Sequence, residues 1–265
     1  YPYMEVLPRR YRFRILNAAM SRFIKLALAV NSSSKFAKGT AVPVYFIAND
    51  GNFVVNPVRQ TVLDEMGVSE RFDIVVDFAA FKPGDRIHLL NLLQQTNGNK
   101  PDRAVTVSDA IKGVNNDPAV GPCLEFRVVD SLRSVDDPRK VYSASSLADR
   151  SVDFSDPDWS SSQPRKALTA QIPVVAPDRE RTIEFGKSGG ADSRDAADGE
   201  CIPDCGEREE FPWSIIVDGG RAHTLNANRI SMLIPRPGEV EHWTLVNKGG
   251  GWDHPVHLHF EEGVT

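Results

Sequence analysis

Three of the six histidines in this 265-residue chain fall within six positions, in the run His254-Pro255-Val256-His257-Leu258-His259. If 256–260 is a strand, His257 and His259 project from one face and Leu258 from the other. Two imidazoles placed so can hold one metal ion or two adjacent ones. His254 precedes a proline, which favours extended or turn backbone. It need not share the face of the pair and can serve a different metal. Imidazole suits copper, zinc, iron and nickel, so the run marks a metal site without choosing the metal. Asp253 either orients an imidazole or is a solvated turn residue. His88, His223 and His242 stand alone in sequence and read as packing or surface residues.

The cysteines point to less. Cys123, Cys201 and Cys205 are odd in number, so at least one cannot pair within the chain. Cys201-Ile202-Pro203-Asp204-Cys205 has three residues between its thiols, unlike the two of redox or zinc motifs. It reads as a local disulfide or two surface thiols, with a metal role as the alternative.

The elements that must position the histidines are strands. Tyr11-Arg12-Phe13-Arg14-Ile15 alternates apolar and charged residues, the pattern of a half-buried strand. Further strands are expected at 23–30, 42–48, 71–78, 86–93, 123–129, 181–185, 213–217 and 240–247. Turn signals separate many of them: Asn49-Asp50-Gly51, Lys82-Pro83-Gly84-Asp85, Asp218-Gly219-Gly220 and Pro235-Arg236-Pro237-Gly238. Short strands, frequent turns and no long amphipathic helix predict an all-β protein of sandwiches or barrels.

Composition changes after Val129, where Ser, Asp, Arg and Pro replace alternation. The expected organisation is a β domain over 1–130, a linker over 131–178 and a second β unit over 179–265. A polar stretch at 187–210 reads as an excursion within the second unit. That unit offers too few strands to close a sandwich. With no leader at Tyr1-Pro2-Tyr3-Met4, the chain reads as cut at both ends. The formal charge of -5 and the scattered basic residues argue against a nucleic-acid binder. No apolar run of 18 or more residues exists, so no helical membrane span is expected.

The run 254–259 resembles the third of four histidine motifs in multicopper oxidases of the laccase and bilirubin oxidase type. The stretch Tyr3-Met4-Glu5-Val6-Leu7-Pro8-Arg9-Arg10-Tyr11-Arg12-Phe13-Arg14-Ile15-Leu16-Asn17-Ala18 resembles the opening of the middle domain in bacterial spore-coat laccases. Asn49-Asp50-Gly51 and Glu70-Arg71-Phe72-Asp73-Ile74-Val75-Val76-Asp77-Phe78 resemble later parts of that domain. Glu239-Val240-Glu241-His242-Trp243-Thr244-Leu245-Val246-Asn247 resembles the strand leading into the third motif.

The resemblance implies cupredoxin-like Greek-key β-sandwiches, the second one incomplete. It implies a middle domain without copper ligands over 1–130 and the opening of a copper-binding third domain over 179–265. By motif position, His254 would ligate the type 1 copper, His257 the type 2 copper and His259 one of the paired type 3 coppers. The parent activity would couple one-electron oxidation of a phenol, aromatic amine, bilin or metal ion to reduction of dioxygen to water. An extracellular, periplasmic or spore-coat location follows from the same resemblance. The family's other histidine motifs, including the terminal H-C-H-x3-H with its type 1 thiolate, do not occur in this sequence. Every copper site is therefore expected to be incomplete here. The chain alone is expected not to turn over unless remaining domains or another chain supply the missing ligands. Two other readings stand beside this one. One is a non-catalytic cupredoxin-like module binding metal or a partner. The other is a zinc hydrolase using His257 and His259, which needs a third ligand and a general base.

Overall fold

A computed structural model describes residues 2–113, 116–137, 139–143, 168–170, 173–186, 214–219, 222–223, 236, 238–248, 251, 253–254 and 256. These residues group into two compact units that divide after 171.

The first unit is built from two sheets. In one, the order is β1 (Tyr3–Val6), β10 (Gly121–Val128), β9 (Arg86–Asn91), β3 (Ile24–Ser32) and β4 (Ala41–Val42). β7 (Val62–Met66) also pairs with β3. The other sheet has the order β2 (Arg10–Leu16), β8 (Arg71–Asp77), β5 (Val44–Asn49) and β6 (Asn52–Gln60), all antiparallel. Pleating explains which residues go inside. β8 buries Phe72, Ile74 and Val76 and leaves the residues between them half-exposed. These pack in one core with Leu26, Leu28, Val30, Ile87, Phe126 and Val128 from the six-stranded sheet. Phe78 is fully buried at the centre, its ring 5.2 Å from Phe126, 6.5 Å from Phe13 and 5.9 Å from Tyr11. Ring contacts of this kind add to the area burial of each aromatic.

β3 breaks the alternation, because Ile24-Lys25-Leu26-Ala27-Leu28-Ala29-Val30 is buried almost continuously. The reason is a second layer. Ala27 and Ala29 pack with Leu90, Leu92 and Ala110 in a separate small core, where α1 (Val107–Lys112) covers the outer face of the sheet. Thr106 caps this helix, accepting the Asp109 N–H at 3.1 Å and donating to the Asp109 carboxylate at 2.8 Å. A Cβ on Gly121 would lie 3.2 Å from the Ala110 carbonyl, and its φ is +117°. Only glycine lets the strand come this close to the helix.

The strands foreseen in the sequence all appear, with shifted ends. Asp50 and Gly51 have φ of 47° and 108°, as the tight β5–β6 turn requires. β1, β6, β7 and, in the second unit, β15 (Ala222–His223) were not foreseen. β6 carries Pro57, which fits its place at a sheet edge, where one row of N–H groups goes unpaired. In the stretch expected as a linker, β11 (Ser131–Arg133) and β12 (Val141–Ser143) form a hairpin. Further on, the Leu168 N–H donates to the Val55 carbonyl of β6 at 2.9 Å.

Buried charges pin this unit. Asp117, 2% exposed at its side chain, accepts from the Arg22 guanidinium at 2.8 Å and from the N–H groups of Gln95 and Ala119. Glu125 accepts from Arg127 at 2.7 Å and from Asn31 at 3.2 Å, and pairs with buried His88 at 3.2 Å. Asp85 accepts from Ser33, Ser34 and Lys82. Burial alone would raise all three carboxyl pKa values. The hydrogen bonds outweigh it and hold each below its ordinary value. Burial pushes the His88 pKa down, with Glu125 opposing.

The second unit shows one sheet among the described residues, in the order β15 (Ala222–His223), β14 (Ser214–Val217), β13 (Arg179–Gly186) and β16 (Glu241–Asn247). β13 and β16 run parallel, and Ile183 is buried. The described residues are thus all-β, with one six-residue helix among them. No described helix is long and apolar enough to cross a membrane.

Two outcomes follow for stability. Phe78→Ala is expected to cost about 3–5 kcal/mol in urea unfolding, as for other large buried aromatics. Acid should weaken the first unit in two steps. His88 has its folded pKa below its unfolded one, so its contribution falls away first, below about pH 6.5. The depressed carboxylates contribute above their unfolded pKa values and lose that contribution as pH falls through the folded ones, below about pH 4. Urea midpoints measured against pH should show both steps, and Glu125→Gln should flatten the lower one.

Candidate metal centre

The strand that leads to the histidine run is β16. It lies beside β13 with Arg181 opposite Trp243 and Ile183 opposite Leu245. Pairing continues past the strand, where the Lys248 N–H donates to the Phe185 carbonyl at 2.7 Å. An ionic cluster fixes the start of β16. The Glu241 carboxylate, 5% exposed at its side chain, accepts from Arg181 Nε at 3.0 Å and from the Trp243 indole N–H at 2.8 Å. Arg181 also reaches Asp218 at 3.2 Å, and the Asp218 carboxylate accepts the Thr182 N–H at 2.8 Å. Asp218 and Gly219, at φ of 53° and 68°, form the turn expected there. The hydrogen bonds from Arg181 and then Trp243 hold the Glu241 carboxyl below its ordinary pKa.

Beyond β16, Gly251 turns the chain with a φ of +93°. Asp253 is exposed and His254 is half-buried. His257 and His259 lie outside the described residues, as do Cys201, Cys205, the side chain of His223 and the stretch 187–210. The structure therefore places one of the three candidate ligands. Among the described residues, no group of three or more histidine, cysteine or acidic side chains converges on a point. His242 is exposed on β16 and His88 is buried against Glu125, in keeping with their reading as surface and packing residues. Cys123 is exposed, and its thiol donates to the Leu89 carbonyl at 3.2 Å. Sequence reading did not find the Glu241–Arg181–Trp243 cluster. Its signal was the spacing Glu241-His242-Trp243, which puts acid and indole on one face of a strand.

Comparison with known proteins bears on what this site is. No family model matches the chain. It is 27% identical to a bilirubin oxidase of Albifimbria verrucaria over 259 residues, covering 98% of this chain and 34% of that protein. It is 24% identical to a laccase of Bacillus subtilis strain 168 over 262 residues, covering 98% of this chain and 36% of that protein. A solved multicopper oxidase from Campylobacter jejuni, described as a metallo-oxidase, shares the fold with a TM-score of 0.50. That match has 13% identity and covers 94% of this chain and 39% of the other. Over nearly its whole length the chain is similar to multicopper oxidases. It spans about a third of the length of the curated relatives it matches.

For copper the donor chemistry fits. Imidazole is a good copper ligand, and the 254–259 run supplies three imidazoles within six residues.

The cluster beneath this segment makes its own prediction. The Trp243 indole N–H donates to Glu241, so its proton resonance should shift as pH falls through the depressed Glu241 titration. In Glu241→Gln that shift should vanish. Two-dimensional NMR of the indole region checks both outcomes.

Proposed function

We propose that this chain contributes copper ligands to a copper-dependent oxidase, with His254 serving one copper site and His257 and His259 another. The observation that carries the reading is the 254–259 run, reached directly from β16, whose sequence resembles the approach strand of the family motif. By the same motif, His254 belongs to a type 1 site, while His257 and His259 belong together to one trinuclear cluster, as ligands of its type 2 and type 3 coppers. When bound, copper supplies one-electron redox chemistry, which zinc lacks, so that oxidation of a small reducing substrate is coupled to reduction of dioxygen to water.

The chain's own residues do the holding. β13 and the Glu241–Arg181 pair fix the base of the segment, and Gly251 bends it toward His254. Pro255 keeps His254 in extended or turn backbone, while strand alternation puts His257 and His259 together. The unit over 1–130 is read as a middle domain whose role is architectural, and the part from 179 as the start of the copper-bearing domain. The remaining ligands would come from remaining domains or from another chain. The resemblance implies that the reducing substrate is a phenol, an aromatic amine, a bilin or a metal ion. An extracellular, periplasmic or spore-coat setting suits it.

Copper titration of this chain, followed by optical and paramagnetic-resonance spectra, tests the assignment. Copper should bind with no stoichiometric blue chromophore, because that colour needs a thiolate and none of the three cysteines stands in the family's thiolate motif. His254→Ala should remove one copper population entirely and spare the one that His257→Ala or His259→Ala removes. A blue band would assign a thiolate from Cys123, Cys201 or Cys205. Loss of one common population in all three variants would refute the two-site assignment.

A further inference from the structure

Away from the histidine run, the first unit carries a cleft of about 460 Å³ where β4, β5 and β6 meet the loop after β8. That volume lies within the range of small-molecule sites, which are mostly apolar with a few placed polar groups. Its walls fit the description. Val30, Val42 and Phe81 are buried core residues, and the Phe36 and Phe81 rings stand 5.1 Å apart at a tilt. Tyr45, 6% exposed, pairs in register with Arg59 across β5 and β6.

Two charged side chains line the cleft, and only one is uncommitted. Asp77 has both oxygens engaged, one accepting from Arg10 at 2.8 Å and the other from the Ala79 N–H at 2.9 Å. Arg59 is exposed at the mouth and has no ion pair or side-chain hydrogen bond among the described residues. A guanidinium presents a planar fork of donors that matches a carboxylate and also stacks on rings. An apolar wall of rings beside one free fork selects a ring bearing one carboxylate. A phosphate would demand more donors than this single cation offers, and a cationic ligand would meet an acid that Arg10 already neutralises. We propose that this cleft binds a small aromatic carboxylate, with the ring against Phe36 and Phe81 and the carboxylate on Arg59.

The test uses the 265-residue chain, with benzoate as the anionic probe and benzyl alcohol as its neutral counterpart. Backbone amide shifts in two-dimensional NMR report where each binds. Benzoate should give saturable shifts centred on Thr40, Ala41, Tyr45 and Ala80, with a dissociation constant of about 1 mM, weak but measurable. Arg59→Gln should weaken benzoate by about tenfold or more, and benzyl alcohol should bind correspondingly worse than benzoate. Arg59 is exposed, so the variant is expected to keep the parent spectrum elsewhere. Ala80→Trp, also at an exposed position, should abolish binding by filling the mouth. The proposal is overturned by absence of saturable benzoate shifts, by equal affinity for the neutral probe, or by unchanged affinity in either variant.

Discussion

The structure rests on the period-two pleat of the strand, which forces each sheet to hide one apolar face. In the first unit the two hidden faces meet around Phe78, where rings from β2, β10 and the loop after β8 interlock. Burial of this aromatic cluster is what makes two separate sheets one body. The unit also hides a second face, since α1 packs over Ala27 and Ala29 on the back of β3. The charged groups buried there are tolerated because each is fully engaged. Glu125 gathers Arg127, Asn31 and His88, and Asp117 gathers Arg22 and two backbone N–H groups. An unpaired carboxylate in those places would cost several kcal/mol.

The same pleat governs the candidate centre. β16 is held in register by β13 on one side, and its first residues are anchored by Glu241 between Arg181 and Trp243. A segment leaving such a strand has a defined starting point and direction. Gly251 then turns the chain ahead of His254 with its left-handed backbone.

Much of the fold was legible in the sequence, for identifiable reasons. Tyr11-Arg12-Phe13-Arg14-Ile15 and Phe72-Asp73-Ile74-Val75-Val76 announce half-buried strands because one face is solvated. β6 was not legible. Its residues Asn52-Phe53-Val54-Val55-Asn56-Pro57 are mostly exposed or half-exposed at a sheet edge, so burial imposes no pattern on them. α1 is only six residues long, too short for a helical period, and its signal lay in its caps, Thr106 and Gly113. The hairpin at 131–143 lies in polar sequence because it hides little. At the candidate centre, the histidine spacing was plain in the sequence, whereas the ion pair that anchors its approach joins residues 60 apart and needed the fold to reveal it.

The central claim is that His254 serves one copper and the pair His257 and His259 another. Pulsed electron paramagnetic resonance on the copper-loaded chain measures this directly through the dipolar coupling between copper(II) ions. The account predicts two coppers per chain with a resolved coupling, and His254→Ala should abolish the coupling while one copper remains. A single copper per chain, with three imidazole nitrogens coupled to it, would contradict the account.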